Sequence, residues 1–98
     1  NNKSKAYITA MKSDLRNLVT AEEAFFSDSS KYTAVVGVGG LQYQSSTGTV
    51  APLITTGSGF WFATNSHTQL PTMTCGIGIN TTNPVTGAAA AEGEPTCK

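Results

Sequence analysis

Residues 4–27, from Ser4 to Ser27, read SKAYITAMKSDLRNLVTAEEAFFS, and this stretch decides the fold. Ile8, Met11, Leu15 and Leu18 fall three or four residues apart and, with Val19, Phe25 and Phe26, read as one stripe of an amphipathic α-helix. Ala6, Ala10, Ala21 and Ala24 supply the strongest helix former, while Lys12, Asp14, Arg16 and Asn17 read as lying off the stripe. No Gly or Pro interrupts the run, which would make a rod of roughly 36 Å, long for so small a chain. Glu22 and Glu23 are neighbours, hence about 100° apart on a helix, and read as a solvated face rather than a convergent acid pair. The cluster Ser27-Asp28-Ser29-Ser30 should end the helix, because such side chains bond nearby backbone in competition with it. Ser4 is a candidate N-cap, yet no Glu or Gln three residues on completes a capping box. A helix cut from a longer one would look the same, so a preceding segment is expected.

Downstream the periodicity changes from helix to strand. Residues 29–40, containing Gly37-Val38-Gly39-Gly40, read as a connecting loop, since glycines favour turns and the Walker lysine is missing. Residues 41–80 read as an antiparallel sheet with strands at Leu41–Gln44, Val50–Thr56, Gly59–Asn65 and Met73–Asn80. Pro52, near the start of the second of these, fits an edge strand or an early strand position, because proline cannot donate to a ladder. Alternation puts Phe60 and Phe62 on one face and Trp61 and Ala63 on the other, with two of the three aromatics expected in the core. Met73, Cys75, Ile77 and Ile79 share a face, and Gly76 and Gly78 leave the opposite one open to close approach by other backbone. The tail from Thr81 to Lys98, including Gly87 and Ala88 to Ala91, reads as loop. One helix followed by consecutive strands defines a single α+β domain over residues 1–98, the helix (1–28) packed on the sheet.

Composition narrows the chemistry. Six Lys+Arg balance six Asp+Glu, and only 12% of residues are charged, so the concentrated cationic face that nucleic acid requires is not expected. Nine Ser and fifteen Thr supply polarity instead, a surface that repels its own copies weakly. There is no run of 18 apolar residues to span a membrane. The two cysteines, Cys75 and Cys97, are too far apart for a CxxC motif, and the single His67 does not complete a zinc site with them. A disulfide is favoured over two independent buried thiols, and it would imply an oxidising compartment. His67, in Asn65-Ser66-His67-Thr68, reads as an exposed turn histidine rather than a catalytic base. Glu92 and Glu94 lack the further oxygen ligands of a calcium loop, and Asn80-Thr81-Thr82 and Asn2-Lys3-Ser4 match the short N-glycosylation pattern. No catalytic, metal or cofactor site is therefore expected.

The run Ala6 to Ala34 adds a likeness. Ser13-Asp14-Leu15-Arg16-Asn17-Leu18, then Glu22 or Glu23 before Phe25-Phe26, a polar turn and Tyr32-Thr33, closely resembles the C-terminal half of the long helix of type IV pilins and type II secretion pseudopilins. Cys75 and Cys97 are similar in placement to the pair bounding the disulfide loop of many pilins, which implies a disulfide-closed loop over residues 75–97. The resemblance implies a pilin-like fold in which Ile8, Met11, Leu15, Leu18 and Phe25 form the helix core face. It further implies an apolar half-helix upstream of Asn1, holding the protein in the inner membrane before assembly, and a leader cleaved by a prepilin peptidase. Pilus or secretion assembly machinery would then polymerise copies of the chain into a helical filament at the cell surface. The alternatives are a type II secretion pseudopilin, or a small extracellular module binding sugar or protein through Phe60 to Phe62 and the Cys75–Cys97 loop.

Overall fold

A computed structural model describes residues 2–85 and 91–98, so the loop reading at Gly87 and Ala88–Ala90 lies outside the described residues. Helix α1 spans Asn2–Ser29, 28 residues. At 1.5 Å per residue it is roughly 42 Å long, which equals the 42 Å long axis of the molecule. Met11, Leu15 and Leu18 are fully buried, while Ile8 and Phe25, nearer the two ends of the stripe, are half-buried. The stop is made by serines: Ser30 takes a φ of 60° and its N–H bonds Phe26 O at 2.8 Å, while Ser29 Oγ donates to Phe25 O at 2.7 Å. A left-handed residue just past the last turn closes a helix in this way.

Four strands, β1 (Leu53–Gly57), β2 (Phe60–His67), β3 (Leu70–Ile79) and β4 (Thr96–Cys97), form one antiparallel sheet in sequence order. The chain is therefore α+β, with the helix on one face of the sheet. Register places Trp61 opposite Ile79, Ala63 opposite Ile77 and Asn65 opposite Cys75. That face meets α1: Asn65 Nδ2 donates to Met11 O at 3.0 Å, and the Cys75 Sγ lies 4.0 Å from the Met11 Sδ. The core is the seam between them, with Met11, Leu15, Leu18, Leu41, Trp61, Ala63, Cys75 and Ile77 all at 0% exposure.

The strands depart from the sequence reading in five places, one of them the last candidate, which begins at Leu70 rather than Met73 and ends at Ile79 rather than Asn80. Leu41–Gln44 is no strand: Leu41 is buried as a core plug, and its backbone closes a tight loop through Leu41 N–H to Val35 O and Gly37 N–H to Leu41 O, each 2.9 Å. Gly37 and Gly39 take φ of 96° and 82°, the left-handed backbone that lets the chain fold back so sharply. The second candidate begins at Leu53 rather than Val50, just after Pro52, and β1 is indeed an edge strand. The third runs on to His67, with a bulge between Asn65 and His67. The tail is not wholly loop, because Thr96–Cys97 adds a fourth strand to β3, and Thr74 and Lys98 exchange both backbone hydrogen bonds at 3.1 and 2.9 Å.

The glycine face of β3 is covered by the chain that follows it. A Cβ at Gly78 would stand 2.7 Å from Thr81 O, and one at Gly76 would stand 2.7 Å from the Val85 side chain. Asn83 holds this layer, its Nδ2 donating to Gly76 O at 2.9 Å and its Oδ1 accepting from Val85 N–H at 2.9 Å. Cys75 to Gly78 is consequently buried on both faces.

Candidate functional site

The side chains with chemistry gather along α1 and the loop beside it. Asp14 and Glu22 lie inside the apolar stripe rather than beside it, at 1% and 0% exposure. Asp14 accepts two hydrogen bonds from Ser46, 2.8 Å from its backbone nitrogen and 2.6 Å from its hydroxyl. Glu22 Oε1 accepts from Thr33 N–H at 3.0 Å, while Oε2 has no partner among the described residues. Burial pushes the Glu22 carboxyl up from 4.5 to about 7, against the lowering effect of the Thr33 bond and with a smaller push from Glu23. Glu23, by contrast, is solvated, and its Oε2 accepts from the Tyr32 hydroxyl at 3.0 Å. Both buried carboxyl groups thus pin loop backbone to the helix, Asp14 at Ser46 and Glu22 at Thr33, which is a structural use of their oxygens.

Their burial was legible in the helical spacing. Glu22 stands four residues after Leu18 and three before Phe25, and Asp14 three after Met11 and four before Leu18. Both positions belong to the stripe by periodicity. The residue type argued the other way and misled the reading.

His67 is a second correction. It is 5% exposed at the end of β2, stacks on Tyr7 of α1 with ring centroids 4.4 Å apart, and accepts from Gln69 N–H through Nδ1 at 3.0 Å. Two-residue connection at Thr68-Gln69 turns the strand immediately after it, so the ring is drawn under the helix instead of into solvent. Trp61 is the third: it is the one fully buried aromatic of Phe60, Trp61 and Phe62, facing the helix, while its neighbours are half-buried on the outer face. The indole is therefore not presented as a stacking platform.

Cys75 and Cys97 form the disulfide, and they face each other directly in the β3–β4 register. Glu92 and Glu94 are exposed, and Glu92 Oε1 accepts from Asn80 N–H at 2.7 Å. Among the described residues no three His, Cys, Asp or Glu side chains are grouped so as to hold a metal ion. Asn80 is exposed, with Nδ2 donating to Gly59 O at 2.9 Å.

Several large apolar side chains face outward from the loop after α1 and from β1. Val38 is fully exposed on the loop, Val35 is 52% exposed, and Leu53 on β1 is 76% exposed. An open groove of about 460 Å³ runs along α1 between Thr20, Ala21, Ala24 and Phe25 on one side and Gly40 and Gln42 on the other. No described helix is long and apolar enough to cross a membrane. Searches for a matching family model, a characterised relative and a similar solved structure found none.

Proposed function

We propose that the chain is the globular part of a filament subunit of the type IV pilin class, polymerising head-to-tail through its helix. The observation that carries this reading is the proportion of α1 to the domain. Its 28 residues run the full long axis of the molecule, yet its buried residues lie only between Met11 and Glu22. None of the residues from Asn2 to Ala6 belongs to the core. A helix that outruns its own sheet has surface to give to neighbours, and a heterologous contact that does not close generates a fibre. The helix sequence and the disulfide-closed tail support the same class. In this reading an apolar segment upstream holds the subunit in the inner membrane until assembly machinery adds it to a pilus at the cell surface.

Mass spectrometry of filaments sheared from the source cells, with immunogold electron microscopy against this domain, tests it. The chain should label surface filaments along their length. Labelling confined to a secretion complex in the envelope would move it to the pseudopilins, and absence from both would remove the reading.

A further inference from the structure

Every Lys, Arg, Asp and Glu lies in residues 3–31 or 92–98, so from Tyr32 to Ala91 there is no such charge, and β1, β2 and β3 are built wholly within that stretch. The consequence is sharpest at β1. One of its edges pairs with β2, and on the other no described residue hydrogen-bonds to its backbone. An exposed strand edge is a row of unpaired N–H and C=O groups, and proteins ordinarily protect it with a charged side chain, a bulge or a covering segment. Leu53–Gly57, LITTG, carries none of the charge, and Pro52 stands before the strand rather than in it.

The missing partner is specified by chemistry: an extended backbone with no charge to repel. We propose that the free edge of β1 pairs antiparallel with the same edge of a second copy of this chain, joining two sheets across a two-fold axis at Thr55. The strand is complementary to itself in that register, which is the one that overlaps all five of its residues. Thr55 opposes Thr55, Ile54 opposes Thr56, and Leu53 opposes Gly57. Leu53 and Gly57 lie on the outer face, opposite Thr64 and Phe60 of β2, and the Phe60 ring leans over Gly57 so closely that a Cβ there would meet it at 2.2 Å. The exposed Leu53 side chain of one copy therefore arrives where the other has no side chain of its own, beside an aromatic ring. Such a contact is isologous and closes at two copies. It is independent of the filament reading: subunits of a head-to-tail filament share one orientation, so this two-fold contact would join two free chains or two filaments rather than neighbours within one.

Sedimentation velocity of the disulfide-intact chain over a concentration series is expected to show a reversible monomer–dimer equilibrium. Thr55→Lys places two ammonium groups directly opposite each other and should weaken the dimer by about tenfold or more, since like charges facing across strands are unfavourable. Its melting temperature should hold, because Thr55 is exposed. Thr55→Cys should oxidise to a covalent dimer far faster than Val38→Cys, which is also exposed but remote from β1 in sequence. This pair decides the matter if Thr55→Lys disturbs folding. A monomer at all concentrations, a dimer indifferent to Thr55→Lys, or equal cross-linking at residues 55 and 38 would overturn the proposal. Pairing with some other extended segment would appear as association without the Thr55→Cys cross-link, and would overturn it too.

Discussion

Glu22 and Thr33 are joined by a hydrogen bond of 3.0 Å from the Thr33 backbone N–H to Oε1, and the carboxylate that accepts it is fully buried. The bond anchors the loop after α1 to the helix. The burial makes the anchor sensitive to pH, because a charged carboxylate loses its hydration there.

Burial raises the Glu22 carboxyl from 4.5 to about 7. Between those values the folded state holds a proton that the unfolded state has released, so stability falls as pH rises. The full contribution is present below about 4.5 and is lost by the time pH passes about 7. Urea melts across this window should show the decline in the native protein, and Glu22→Gln should flatten it. An unchanged slope in Glu22→Gln would assign the effect to another group.

Asp14 ties Ser46 to the middle of α1 through two short bonds. Asp14→Ala removes both acceptors and leaves the Ser46 N–H unpaired, which should cost about 2–3 kcal/mol. Asp14→Asn keeps one acceptor and should lose less. Denaturant midpoints measure both, and equal losses in the two variants would contradict the hydrogen-bond account.

Reducing Cys75–Cys97 opens a loop with a sequence separation of 22. The chain-entropy model gives on the order of 3 kcal/mol for such a closure. The melting temperature should drop while far-ultraviolet circular dichroism keeps its helix and strand signal, because α1, β1, β2 and most of β3 pair without the tail. Equal melting with and without reductant, once thiol release is confirmed, would contradict this.

Gly78→Ala should destabilise by about 1–3 kcal/mol, since its Cβ would press on the backbone carbonyls of Thr81 and Thr82 at 2.7 and 2.9 Å. The damage should be local to the tail layer, visible by hydrogen exchange at residues 81–85 before it reaches α1.

The class of fold was legible because it rests on periodicity. The stripe from Met11 to Leu18 and the alternation from Phe60 onward each repeat several times, and repetition survives errors at single residues. The places that misled are those where one tertiary contact overrides a local preference. Asp14, read as lying off the stripe, is buried because it takes the Ser46 N–H, and Leu41 is worth more as a plug than as a strand residue. Two residues, Thr96 and Cys97, are strand through pairing with Gly76 and Cys75, where the disulfide also ties them to β3. His67 reads as polar punctuation in sequence and is buried because Tyr7, sixty residues earlier, offers its ring. None of these partners is near in sequence, so no local pattern encodes them.

Helical reconstruction by electron cryo-microscopy of surface filaments from the source cells tests the central reading most directly. The expected map has α1 lining the filament axis, with the sheet and the Cys75–Cys97 tail outside and Asn2 to Ala6 packed against neighbouring copies. A filament whose density cannot hold this fold, or source cells whose filaments lack the chain altogether, would contradict it.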